Sequence, residues 1–214
     1  MRRVYPSNNK SHNLLPRLKR MDRWLCWRKE RDGDRIKKVP VDVNPNSESV
    51  YRVTYKEPGH WYTYQEAKKL VTTYDQIEGK QVVINDAKDP FVIVDFDDCI
   101  DPDTKRIDEP ARKYLEQANT YAELSPSETG FHLVFQGKVP RQGWSAESDT
   151  LDLEVYEKYI VTVTEKHIEG TPYVAKRDDG LLDQIFEENN IRWREQLYTT
   201  EKTDDQLRTP SACL

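Results

Sequence analysis

Apolar and polar positions alternate along much of this chain, and helical spacing appears only in short stretches between the alternating ones. Arg23-Trp-Leu-Cys-Trp-Arg28 reads as a strand, Arg31-Asp-Gly-Asp34 as a tight hairpin turn, and Arg35–Val39 as the return strand, closed by Pro40. Residues 44–60 read as loop. Thr63 with Glu66 forms a capping box before a helical stripe of Ala67, Leu70 and Val71. Gln81–Ile84 and Phe91–Val94 are strands joined by the turn 85–90, and an antiparallel hairpin is expected between them. Asp108 or Glu109 with Pro110 opens a helix whose Ala111, Tyr114, Leu115 and Ala118 share a face. Strands come next at Tyr121–Leu124, Phe131–Phe135, Leu151–Val155 and Tyr159–Val163. The pattern then predicts a last helix over 178–193, with Leu181, Leu182, Ile185 and Phe186 inward.

These elements predict an α+β fold dominated by antiparallel hairpins, either one large domain or two lobes sharing a core. Residues 1–20 read as a basic arm, and 21–194 as the core, with lobes of about 21–80 and 81–194. Residues 195–214 read as a polar, flexible tail.

Charge sharpens this division. Residues 1–38 hold 13 Lys/Arg against 4 Asp/Glu, a surplus of +9, and residues 39–214 carry the -14 that brings the chain to -5. A basic arm on an acidic body suits phosphate contact, for which Arg20, Arg23, Arg28 and Lys38 are candidates; the alternative is a solvated tail. Trp24 and Trp27 read as core, with base stacking the alternative. Neither a membrane-length apolar run nor a signal peptide is evident, so no membrane partner and a cytoplasmic site are expected. Three cysteines without metal-ligand spacing (Cys26, Cys99, Cys213) read as reduced thiols.

The candidate chemistry begins where the apolar run 91–94 meets Asp95, Asp97 and Asp98. Residues two apart on a strand share a face, so Asp95 and Asp97 project together while Phe96 turns inward. Adjacent carboxylates repel, and burying them unpaired is costly; a hard divalent cation, magnesium or manganese, removes that cost. A solvated strand end, with Asp98 or Asp101 capping the next segment, is the plainer alternative. On its own strand Glu154 shares a face with Asp152, and it supplies a third acid for a site that holds two divalent ions, as nucleotidyl transfer requires. The turn 125–130 offers hydroxyl and backbone donors to phosphate through Ser125, Ser127, Thr129 and Gly130, and His132 lies just beyond it.

The series Asp95-Phe-Asp-Asp-Cys99, Glu123-Leu-Ser-Pro-Ser-Glu-Thr-Gly-Phe-His132 and Leu153-Glu-Val-Tyr156, the last running into Thr162-Val-Thr164, resembles the three motifs of the archaeo-eukaryotic primase superfamily. The likeness is greatest to the primase–polymerase branch of archaea, viruses and phages, and covers roughly residues 15–190. Trp24-Leu-Cys-Trp27 with Lys38-Val-Pro40, and Lys166–Pro172, also match that branch. The resemblance implies a sheet like that of an RNA-recognition motif, facing a smaller amino-terminal lobe. It implies metal ligation by Asp95, Asp97 and Glu154, and phosphate binding by His132, Ser125 and Ser127. The implied reaction is templated DNA priming or polymerisation from dNTP or NTP on a single-stranded or primed DNA template. Many relatives continue into a helicase, so a separate helicase is expected here.

Four positions depart from the pattern. Glu128 and Glu165 stand where glycines are usual, and Gln81 stands where a second glycine is expected before the strand. A Gly-Arg pair is missing, with Lys158 the available cation, although an ammonium does not replace a bidentate guanidinium. These departures motivate a second reading, a weakened or inactive descendant that binds nucleotide or nucleic acid. A nuclease with an RNase-H-like acidic cluster is a third, but such a site has no use for the Ser125–His132 segment.

Overall fold

The computed structural model describes residues 13–84, 89–139, 145–148, 151–157 and 160–193. The arm up to residue 12, the turn 85–88, Lys158, Cys213 and the tail 195–214 lie outside the described residues. A short helix α1 (Leu14–Leu18) leads into the hairpin β1 (Trp24–Asp32) and β2 (Arg35–Val43), and then β3 (Val50–Arg52). Next come α2 (Tyr64–Thr73), β4 (Gly79–Val83), β5 (Phe91–Phe96), α3 (Glu109–Gln117), β6 (Tyr121–Leu124) and β7 (Phe131–Gln136). The chain continues through β8 (Ser145–Glu147), β9 (Leu153–Tyr156), β10 (Ile160–Thr162), β11 (Lys176–Arg177), α4 (Leu181–Glu188) and β12 (Arg192–Trp193).

These strands sort into two sheets, ordered β10-β4-β1-β2-β3 and β11-β7-β5-β9-β8-β12, with β6 also paired to β7. The fold is therefore α+β and its pairing is antiparallel apart from β11 on β7. The expected hairpin between 81–84 and 91–94 does not form: β4 pairs with β1 and β10, whereas β5 pairs with β7 and β9. Both strands are apolar and central, so each takes two neighbours, and the connection between them crosses from one sheet to the other. Pro40 does not close β2, which runs on to Val43 with Pro40 opposite Trp27. The loop 44–60 contains the edge strand β3 and a 3₁₀ turn at Pro58–His60. The last helix is shorter than its apolar pattern. It opens after Gly180, with the Asp178 carboxylate accepting from Leu182 N at 3.0 Å, and ends at Glu188, because Asn190 takes φ 48° and turns the chain into β12.

Other local expectations hold. Thr63 Oγ1 accepts from Glu66 N, and the Glu66 carboxylate accepts from Thr63 N at 2.8 Å, completing the box at the start of α2. Trp24 and Trp27 are buried; Trp24 meets Tyr64 edge-on at 5.1 Å, so neither indole is open for base stacking. Cys26 and Cys99 are free buried thiols that burial pushes up to about 12. No helix among the described residues is long and apolar enough to cross a membrane.

The second sheet has two unlike faces. Val92, Val94, Phe96, Phe131, Leu133, Phe135, Leu153 and Val155 bury one of them against α3 and α4, with Phe96 stacked on Phe131 at 4.7 Å. Each such side chain contributes about 1.5–3 kcal/mol by leaving water. On the opposite face Phe91, Ile93, Tyr121 and Val134 pack against Leu14, Leu18 and the first sheet. Further along that face the cover ends, and the residue after Ile93 in the two-residue period is Asp95.

Candidate active site

Asp95 sits on the central strand of the second sheet, in register with His132 on β7 and with Glu154 on β9. His132 is in turn opposite Glu123 on β6. Antiparallel partners directly across a ladder share a face, so Glu123, His132, Asp95 and Glu154 form a row across four strands. Asp97 lies just past the end of β5 and is anchored by donating its N–H to Asp152 O at 2.8 Å. Asp95, Asp97, His132, Glu154 and Tyr156 line one wall of a cleft of about 450 Å³, and Ile36, Lys37, Lys38, Gln81, Ile160 and Thr162 of the first sheet line the other.

The acids are held against their preference. Burial, then the Asp95 and Asp152 carboxylates, push Asp97 up to about 6; burial, then Asp95 and Asp97, push Glu154 up to about 7. Lys38, across the cleft, lowers both in opposition. His132 is flanked at 3.3 Å on each side, Nε2 by Asp95 Oδ1 and Nδ1 by Glu123 Oε1. Burial opposes the imidazolium, but these two carboxylates outweigh it and hold the ring up at about 10. Asp95 Oδ1 is buried, and its contact with His132 Nε2 at 3.3 Å is not an aligned hydrogen bond, so acceptor capacity is left over beside two further acids. That leftover suits a hard cation. Among the described residues no three His, Cys, Asp or Glu side chains converge on one point. Carboxylate oxygens are nevertheless the donors that magnesium or manganese prefers.

The hydroxyl-rich turn joins the end of this row. Gly130 is required there: a Cβ would lie 2.1 Å from Phe96 O and 3.2 Å from Asp97 Cα, so the turn rests directly on the backbone that carries Asp97. The hydroxyls form a chain, Ser125 to Ser127 at 2.9 Å, Ser127 to Thr129 at 2.9 Å, and Thr129 donating to Asp98 at 3.0 Å. None of the three lines the cleft; His132 does.

The sequence-derived basic candidates scatter. Lys38 lines the cleft and Arg20 is exposed after α1. Arg23 pairs with the buried Asp89, and Arg28 donates to Glu30 at 2.9 Å and to Val50 O at 3.2 Å. The two glutamates at expected glycine positions both adopt left-handed backbone, Glu128 at φ 62° and Glu165 at φ 66°. Glu128 pairs with Lys166, which holds its carboxyl below the ordinary range. Glu165 pairs with Lys19 and with Lys80 at 3.0 Å, and accepts from Tyr64 OH at 2.6 Å; burial opposes its charge but these partners hold it down at about 2. Sequence reasoning passed over Ile36, Gln81 and Glu123 as site residues. Glu123 alone carried a signal, as the acid that opens the Glu123–His132 segment, and only the register of β6 on β7 sets it opposite His132.

No family model matches the chain. It is similar to a protein named DNA primase-polymerase from Nitratiruptor phage NrS-1, with 31% identity over 179 residues, 81% of this chain. This similarity supports the likeness seen in the motifs to primase–polymerases of the archaeo-eukaryotic primase type. It spans 24% of the length of that phage protein.

Proposed function

We propose that the chain is the catalytic core of a template-directed nucleotidyltransferase, a DNA primase or polymerase serving the replication of a mobile element, virus or archaeal replicon. The observation that carries this reading is the register across β9, β5 and β7, which sets Glu154, Asp95 and His132 side by side on the open part of an otherwise buried face. The second sheet, with α3 and α4 on one face and the acids on the other, would then be the family's RNA-recognition-motif-like platform.

Two magnesium or manganese ions held by Asp95, Asp97 and Glu154 would lower the pKa of an attacking hydroxyl and neutralise triphosphate charge. His132 turns Nε2 toward Asp95 and donates from it to a phosphate oxygen of the incoming nucleotide. Lys38 adds positive charge from the opposite wall, and Lys158 is the remaining candidate near the missing arginine. Ser125, Ser127 and Thr129 exchange their mutual hydrogen bonds for phosphate oxygens. Arg20, with the arm before it, contacts the template backbone in the cytoplasm.

A weakened descendant is the second reading, favoured by Glu128, whose acid stands on the phosphate turn itself. One experiment separates the two. The protein is incubated with a single-stranded template, with and without primer, labelled dNTP or NTP, and magnesium or manganese. Product that disappears in Asp95→Ala establishes the polymerase, and the primer-free lane reports priming. Folded protein without product under any combination would establish the second reading instead.

A further inference from the structure

Glu123 is 2% exposed, yet its carboxylate has four polar partners. Oε1 accepts from Thr164 N at 2.9 Å and lies 3.3 Å from His132 Nδ1. Oε2 accepts from Tyr121 OH at 2.8 Å and from Glu165 N at 3.1 Å. Thr164 and Glu165 belong to the segment leaving β10, the edge strand of the first sheet, and Thr164 Oγ1 also donates to Leu124 O at 2.7 Å. Glu123 is therefore fixed from both sheets at once, with one oxygen turned to the imidazole. Both carboxylate oxygens already accept from other donors, which gives Nδ1 the donor role in this contact. A ring with Nδ1 engaged in this way cannot flip without losing that partner, and Nε2 is left toward Asp95 and the cleft.

We propose that Glu123 is the positioning residue for His132, locking the imidazole so that Nε2 faces the nucleotide's phosphate oxygens; this rests on the nucleotidyl-transfer reading of the site. A purely structural Glu123 would act on stability alone. A positioning Glu123 acts on substrate through one named partner, and outer-shell partners of this kind are worth about 10–100-fold.

The test combines a spectroscopic and a kinetic arm on the full chain. Nitrogen-15 imidazole spectra, assigned with His132→Gln, should show a slowly exchanging Nδ1 proton on His132 that is lost in Glu123→Gln. With dTTP, a primed oligo(dA) template and manganese, Glu123→Gln should raise KM for dTTP about 10-fold or more with a smaller change in kcat. In a His132→Ala background the same substitution should add nothing, since the pair acts as a unit. If Glu123→Gln does not fold, Tyr121→Phe, which removes one of the two donors to Oε2 and leaves Glu165 N in place, should give a smaller rise in KM that is also absent in the His132→Ala background. Additive effects, or a wild-type ring without the protected Nδ1 proton, would overturn the proposal. A protected proton in a wild-type protein that incorporates no nucleotide would instead overturn the nucleotidyl-transfer reading, and with it any role of this lock in catalysis.

Discussion

Replacing Gly130 by alanine tests the architecture of the site without touching any charged group. The added methyl carbon would stand 2.1 Å from Phe96 O, 3.2 Å from Phe96 C and 3.2 Å from Asp97 Cα, all backbone atoms. A side chain in the way could rotate aside; backbone cannot, so the turn and the strand end must separate by about 1 Å to restore ordinary contact. Overpacking costs about 1–3 kcal/mol, and a clash with backbone belongs at the upper end. At about 2–4 °C per kcal/mol for a chain of this size, Tm should fall by roughly 6–12 °C. The displaced backbone carries Asp97, and Gly130 O closes the turn by accepting from Ser125 N at 2.8 Å. A shift of that size at a reacting centre costs on the order of 100-fold in rate. Gly137→Ala is the control, because a Cβ there meets nothing within 4 Å, and its stability should stay within about 0.5 kcal/mol of wild type. Thermal melting by circular dichroism and primer extension read the two effects. Gly130→Ala with unchanged Tm and unchanged extension would refute the close approach of turn and strand.

Three further outcomes are expected. Asp97→Asn and Glu154→Gln should abolish nucleotide incorporation yet raise the Tm of metal-free protein at pH 8. An acid held at about 6 or 7 loses stability as pH rises through that value, and removing its charge recovers about 1–2 kcal/mol after allowing for partial exposure; a fall in Tm in the presence of EDTA would contradict this. Glu165→Gln should flatten the stability–pH curve between about pH 4.5 and 2, measured by urea unfolding. A carboxylate held at about 2 contributes fully above its ordinary value and loses up to about 3 kcal/mol as pH falls through that window, so an unchanged slope would contradict the ion-pair cluster. Glu128→Gly relieves a left-handed backbone of about 1 kcal/mol and removes an acid from the phosphate turn, so KM for dNTP should fall several-fold while Tm changes little, because glycine returns most of that strain as entropy; an unchanged KM would show that Glu128 does not reach the substrate.

Local chemistry was legible in the sequence wherever a signal is carried by neighbours. The Thr63–Glu66 box, the Pro110 helix start and the split of Phe131–Phe135 into an apolar face and a His132 face each depend on spacings of two to four residues. The same period put Asp95 and Asp97 together. Spacing cannot state which strand lies beside which. The apolar runs of β4 and β5 look equally able to pair with one another, and only the full set of contacts gives each a different pair of neighbours. Glu123 reads as one more acid in a strand until β7 is laid beside β6 and the segment after β10 delivers Thr164 N and Glu165 N to it. Gln81 and Ile36 become cleft residues only when the first sheet faces the second. Alternation, caps and the identity of the acids were set by the order of residues alone, because they depend on side-chain direction along one strand or helix. The row of Glu154, Asp95, His132 and Glu123 exists only in the folded chain, because a row across a sheet is made of residues far apart in sequence, and their register is set by burial on the opposite face.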